Sequence, residues 1–239
     1  MQKRRRGEPR KRFSLYTTGG KMGLRDLREE VCYANQMLPK AGLVTMHSGN
    51  ASGFDPASGL VVIKPSGMDY GEITPENLVA VELETGWVID SDLRPSVDLP
   101  HHLFLYRHLQ DVRGIVHTHS NYATAFAAVN QAIPLCLTAI ADEFGAEIPC
   151  MPYTDNEGEH IGQEILNHRN RAPAILLGNH GVFAWGTSAK AALKAAVMTE
   201  DVAKTVWLAM QIGTPSVIPE AEAEKWYDRY HNRYGQAGA

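Results

Sequence analysis

The 239-residue sequence predicts one layered α/β domain with a central mixed sheet flanked by helices. Three observations carry this. Short apolar runs such as Leu60-Val61-Val62-Ile63, Gly114-Ile115-Val116 and Ala174-Ile175-Leu176-Leu177 have the length of buried strands. Stretches with helical spacing separate several of them. No internal repeat, low-complexity tract or linker divides the chain.

Residues 1–21 form a basic extension, predicted to be disordered, and 22–239 the domain. Residues 1–12 carry seven Lys or Arg against Glu8, leaving 16 basic and 26 acidic residues in the remainder, a net charge of −10. So acidic a body argues against nonspecific nucleic-acid binding. No apolar run reaches the roughly 18 residues of a membrane span, and no apolar segment of a secretory signal follows the basic start. Cys32, Cys136 and Cys150 are odd in number and widely spaced, which predicts reduced thiols and a cytoplasmic protein.

Leu24, Leu27, Val31, Ala34 and Leu38 recur at three- and four-residue intervals and predict a helix over 23–39, ended near Pro39 and Gly42. Leu43–Met46 reads as a short strand leading into the polar stretch His47–Ser52. Asp55-Pro56-Ala57-Ser58-Gly59 reads as a turn before the Leu60–Ile63 strand. Leu78–Leu83 and Trp87–Ile89 flank Glu84-Thr85-Gly86 as a hairpin. A helix is predicted from Asp98 to Leu109, with His101 and His102 on its surface or behind a ligand, and another from Asn121 to Val129 capped by Ser120. Glu147–Cys150, Ala174–Leu177 and Val182–Trp185 read as strands. Ala189–Met210 and Ala221–Arg233 read as helices.

The most informative tripeptide is His117-Thr118-His119, at the end of the Gly114–Val116 run. Side chains at i and i+2 of a strand share a face, so the two imidazoles project together. His180 stands at another strand end, beside Gly181. Three imidazoles with an open position describe a catalytic metal site for zinc or a first-row neighbour. Three further polar clusters follow apolar runs: Ser48-Gly49-Asn50, Lys64-Pro65-Ser66-Gly67 and Pro95-Ser96-Val97-Asp98. Glycine lets backbone N–H groups approach an anion, serine adds a donor and lysine a charge, so together they read as a phosphate cradle, although each alone also reads as a plain turn. No Walker or Rossmann glycine pattern is present.

In this combination the chain resembles the class II aldolase / sugar-phosphate epimerase family, over about residues 23–236. The matching segments include Leu38-Pro39-Lys40, Leu43-Val44-Thr45, Ser48-Gly49-Asn50, Val62–Gly67, Asp69-Tyr70, Gly114–Ser120, Ala141-Asp142, Ile148-Pro149-Cys150, His180-Gly181, Phe183–Gly186 and Tyr234-Gly235-Gln236. The resemblance implies a largely antiparallel sheet and a divalent metal, zinc first and manganese, cobalt or nickel as alternatives, held by Asp98, His117, His119 and His180. It implies an acid/base pair, Asp142 and Tyr234, and a substrate- and phosphate-binding set at Gly49, Asn50, Ser66, Gly67 and Ser96, which Lys64 and Val97 extend. Aspartate at 98, where the aldolase branch commonly carries glutamate, points to the epimerase branch, which interconverts L-ribulose 5-phosphate and D-xylulose 5-phosphate. Aldolase and sugar-acid phosphate decarboxylase activities are the enzymatic alternatives, and a non-catalytic binding module like the adducin head is the third. The implied partner is a small phosphorylated ketose, and the implied assembly a homotetramer with sites between subunits.

Residue by residue, the plainer roles stand beside these. Asp98 also occupies an N-cap position, Asp142 a cap or turn, and Tyr234 a chain tail. The chain departs from the epimerase pattern twice. Val97 stands where that pattern has a second serine, and the segment from Cys150 to Ala174 is shorter.

Overall fold

Seven strands form one mixed sheet in the order β3-β2-β1-β4-β7-β6-β5, in a computed structural model that describes residues 23–235. The strands are β1 (Asn50–Asp55), β2 (Leu60–Ile63), β3 (Val79–Glu82), β4 (Gly114–Thr118), β5 (Cys150–Met151), β6 (Ala174–Leu177) and β7 (Gly181–Gly186). Every neighbouring pair is antiparallel except β5 with β6. The helices are α1 (Leu24–Lys40), α2 (Leu99–His108), α3 (Asn121–Ala128), α4 (Thr138–Phe144), α5 (His160–His168), α6 (Ala189–Met210) and α7 (Glu220–Arg233). The expected architecture is present, and the basic extension and Gln236 lie outside the described residues.

Alternation along the strands divides the core into two layers. Ala51, Val62, Val116 and Ala184 pack beneath α1, α3 and α6. Val61, Ile63, Ile115, Phe183 and Trp185 face α2 and α5 on the other side. His117 lies two residues beyond Ile115, on the α2 face. The central strand β1 is built of small residues because α1 presses on it: a Cβ on Gly53 would meet Val31 Cγ2 at 2.7 Å and Leu27 Cδ1 at 2.8 Å.

Several elements differ from expectation. Leu43–Met46 is not a strand; the strand begins at Asn50, within the stretch expected to be a loop. Its polar residues are buried and paired: Asn35 closes a ring with the Ala51 backbone, and Ser52 meets the His102 ring. The second arm of the 78–89 hairpin contributes one bridge, Val81 to Val88, and leaves Trp87 and Ile89 exposed. Glu147–Cys150 is reduced to a bridge at Ile148 and the two-residue β5. Ser120 precedes α3 without capping it; Glu200 of α6 instead accepts the Tyr122 and Ala123 N–H groups, both at 2.9 Å. Helices α4 and α5 are absent from the elements expected above. His101 and His102 are fully buried rather than on the helix surface, because α2 is enclosed between the sheet and α5.

Candidate active site

The centre of the sheet positions His117, in β4, and His119, one residue past its end. β4 pairs with β1 on one side, Asn50 opposite His117, and with β7 on the other, His117 opposite Phe183. The His117 Nδ1–H donates to the Val182 carbonyl at 2.9 Å, which commits that nitrogen and turns Nε2 outward. The His119 Nε2 lies 3.0 Å from the His117 Nε2. His180 enters from the turn between β6 and β7, where Asn179 adopts φ 59° and the His180 N–H donates to Leu177. Its ring centroid is 4.9 Å from that of His117 and 5.1 Å from that of His119. One ligand atom from each of the three histidines lies within 4.8 Å of the other two.

The donor set fits a metal ion. Two nitrogens each about 2.0–2.1 Å from a shared ion are about 3.0–3.4 Å apart, and the 3.0 Å His117–His119 separation falls in that range. Burial pushes all three imidazoles below their ordinary pKa, His117 to about 4, with Asp98 pulling the other way. At neutral pH they are therefore uncharged and free to ligate.

Asp98 ends the loop before α2 and is 7% exposed. It makes no side-chain cap to the helix. Its Oδ2 accepts from Asn50 Nδ2 at 2.7 Å, and its Oδ1 from Asn156 Nδ2 at 3.3 Å. Burial opposes its ionisation, but the neighbouring His117 and His102 and the two amide donors outweigh it and hold the carboxyl below its usual range. Asp98 shares the cleft with the histidines but is not one of the three residues whose ligand atoms converge.

Gly49, Asn50, Lys64, Ser66, Gly67, Ser96 and Val97 line one cleft of about 200 Å³ with Asp98, His117, His119 and His180. The substrate- and phosphate-binding residues expected from the sequence thus share one cleft with the three-histidine cluster, which could hold a metal ion. Lys64 is 2% exposed and its Nζ sits 4.9 Å from the centre of the Tyr70 ring. Burial lowers its pKa, against Asp69 and Asp98, which raise it. The Tyr70 hydroxyl, shared between the Ser48 and Gly49 carbonyls at 2.8 and 2.9 Å, pins the loop above the cleft. Gly49 has φ +76°, and a Cβ there would stand 2.6 Å from the His117 carbonyl oxygen. Val97 is 68% exposed at the rim.

Asp142 and Tyr234 are not brought into this cleft by their own chain. Asp142 lies on α4, which packs against α7, and its Oδ1 is buried without a hydrogen-bond partner among the described residues. Tyr234 follows α7, stacks on Tyr230 at 5.3 Å and is 67% exposed. Sequence reasoning missed His47 and Asn156, both lining the cleft. His47 Nδ1 pairs with Asp69 Oδ1 at 2.9 Å. Asn156 lies in a turn-rich loop with no periodic signal to mark it.

Solved structures with this architecture include an L-fuculose 1-phosphate aldolase, 28% identical with a TM-score of 0.79, the match covering 89% of this chain and 100% of that one. YgbL from Escherichia coli, a candidate aldolase/epimerase/decarboxylase, is 25% identical with a TM-score of 0.74, over 85% of this chain and 99% of its own. The L-fuculose-1-phosphate aldolase from Thermus thermophilus is 26% identical with a TM-score of 0.64, over 78% and 95%. Residues 29–207 match the family described as Class II Aldolase and Adducin N-terminal domain, and the chain, with the fold and three-histidine cluster described above, belongs to that family.

Proposed function

We propose that this chain is a metal-dependent enzyme that breaks and remakes a carbon–carbon bond of a small phosphorylated ketose by retro-aldol chemistry. The observation that carries the reading is the single cleft in which three neutral imidazoles face a lysine-, serine- and glycine-lined cradle. A divalent ion held by His117, His119 and His180, zinc in the first instance, would stabilise negative charge developing on the sugar's carbonyl and adjacent hydroxyl oxygens.

The chain's own residues do the rest. Lys64, Ser66 and the Gly67 and Val97 backbone bind the phosphate and fix the far end of the sugar. Asn50 holds Asp98, and the ionised Asp98 adds an anion to a centre of otherwise neutral ligands. Asp142 and Tyr234 carry the acid/base steps from a neighbouring copy in a homotetramer. Their distance from their own chain's cleft and the exposure of Tyr234 fit that arrangement.

Within this class, the first reading is 4-epimerisation between L-ribulose 5-phosphate and D-xylulose 5-phosphate. Inverting a carbon beyond the α-position needs bond cleavage, rotation of the aldehyde fragment and re-addition, with proton carriers on opposite faces. Aspartate rather than glutamate at 98 supports it. The second reading is net release of the two cleavage fragments by an aldolase, or of carbon dioxide by a decarboxylase, supported by the likeness to L-fuculose 1-phosphate aldolase and YgbL. The protein loaded with Zn²⁺, Mn²⁺, Co²⁺ or Ni²⁺ is incubated with each pentulose phosphate and with L-fuculose 1-phosphate. Appearance of the epimer without free aldehyde establishes the first reading, and free aldehyde or carbon dioxide the second. No turnover with any metal or substrate removes the proposal.

A further inference from the structure

The carboxylate of Asp98 is held by two amides, and only one of them belongs to the cradle. The second, Asn156, comes from the loop between β5 and α5 and reaches Asp98 Oδ1 through its Nδ2. The other end of that amide, Oδ1, lies 2.5 Å from the Nε2 of His101. The proton positions follow from chemistry. An ionised carboxylate accepts only, so Asn156 must present its NH₂ to Asp98 and its oxygen to His101. His101 must then carry its proton on Nε2. Its Nδ1 is buried without a partner among the described residues, so the Asn156 amide is the one side-chain contact that holds the ring's polar edge there. The histidine is fully enclosed by the fold while the asparagine is solvent-exposed at the rim, so the buried member can orient the exposed one.

We propose that His101 and Asn156 are positioning residues for the metal centre: His101 orients the Asn156 amide, and the amide locks the Asp98 carboxylate toward the histidine cluster. The inference rests on the reading of His117, His119 and His180 as a metal site. A divalent ion among neutral imidazoles gains from a fixed anion in the same cleft, and lost outer partners of this kind typically weaken metal binding about 10–100-fold.

The test is Co²⁺ and Zn²⁺ affinity of the metal-stripped full-length protein, by absorption titration and competition. N156A and H101L are expected to bind about 10–100-fold more weakly than wild type. H101Q, which keeps an N–H for Asn156, is expected to restore most of the affinity. Because the two residues act in series, the H101L/N156A double variant should bind no more weakly than N156A alone. N156A changes an exposed loop side chain, so the proposal stays falsifiable if H101L fails to fold. Wild-type affinity in N156A, no difference between H101Q and H101L, or additive losses in the double variant would overturn the relay and leave the metal centre standing. A wild-type protein without metal affinity would overturn both.

Discussion

Gly181→Ala is a one-methyl test of the metal centre. A Cβ at this position would stand 2.4 Å from the Thr118 carbonyl oxygen, 2.7 Å from His119 Cδ2 and 3.4 Å from His117 Cε1. The carbonyl has little room to retreat, because Thr118 pairs with Val182 and Gly181 with Leu177. Ordinary carbon–carbon contact begins at about 3.5 Å, so the His119 ring must withdraw by about 1 Å. Metal–ligand distances tolerate about 0.2 Å. The substitution gains about 0.4–1 kcal/mol from a stiffer unfolded chain but loses about 1–3 kcal/mol to overpacking, a net destabilisation between about 0 and 2.6 kcal/mol. Metal affinity should fall at least about tenfold. Gly53→Ala is the control. Its Cβ would strike Val31 and Leu27, whose side chains pack in the α1 core away from the cleft, so it should destabilise the fold and spare metal binding. Denaturant unfolding of the stripped protein and Co²⁺ titration separate the two effects. Gly181→Ala with wild-type metal affinity would refute the assignment of these histidines to one ion.

Three further outcomes are expected. Burial holds His102 near a pKa of about 3 and His117 near about 4 against an ordinary 6.5; below pH 6.5 the unfolded chain takes up protons that these folded imidazoles refuse. Stability of the stripped protein should therefore be complete above pH 6.5 and fall with pH, by up to about 2.7 kcal/mol per imidazole at pH 4.5. His102→Gln should flatten that slope in urea unfolding, and an unchanged slope would refute the burial argument. Val97→Ser adds a hydroxyl at the cradle, worth about 0.5–1.5 kcal/mol, and should lower KM for a phosphorylated substrate about 2–10-fold with kcat little changed; a KM that does not move would take Val97 out of the phosphate site. Co-assembly of two inactive variants, His117→Ala and Tyr234→Phe, should regain part of the activity, because mixed interfaces pair an intact metal site with an intact tyrosine. No recovery, or a monomer in sedimentation, would refute the shared site.

The legible parts of the sequence are those where one short-range rule decides the outcome. β2 and β6 are unbroken apolar runs with both faces buried, and α6 is a long alanine-rich repeat with a side-chain cap, Ser188 accepting from Ala191. β1 escapes such rules because its signal is reversed: Asn50, Ser52 and Gly53 are poor strand formers, kept there by cross-strand partners and by α1 packing over Gly53. α4 is short, yet Gly145 at φ 65° after Phe144 is a readable stop. In α5, Ile161 and Ile165 carry the spacing of a buried face. The surface placement, one of the two offered for His101 and His102, equates polarity with exposure. On a helix enclosed from both sides that inference fails, and His102 survives by hydrogen-bonding Ser52, which in turn meets the Tyr106 hydroxyl at 2.7 Å. Asn156 has no local signal; only the three-dimensional path of its loop brings it to Asp98.

The site's glycines explain why its motifs can be read at all. β4 carries His117 and leads directly into His119, and its consecutive carbonyls at His117 and Thr118 are approached from opposite sides by Gly49 and Gly181, at 2.6 and 2.4 Å from the Cβ each would bear. A methyl group on either side would push the strand end out of line. Gly49 also needs its left-handed φ of +76° to turn the Ser48–Asn50 segment back toward the ligands. The glycines of Ser48-Gly49-Asn50 and His180-Gly181 are therefore steric requirements of a single strand end, set by the same close packing that brings the three imidazoles together. On the proposed reading, the cradle and the three histidines are coupled through that strand. A substitution that shifts β4 should disturb phosphate binding and metal binding together, whereas one confined to the rim, such as at Val97, should disturb only the first.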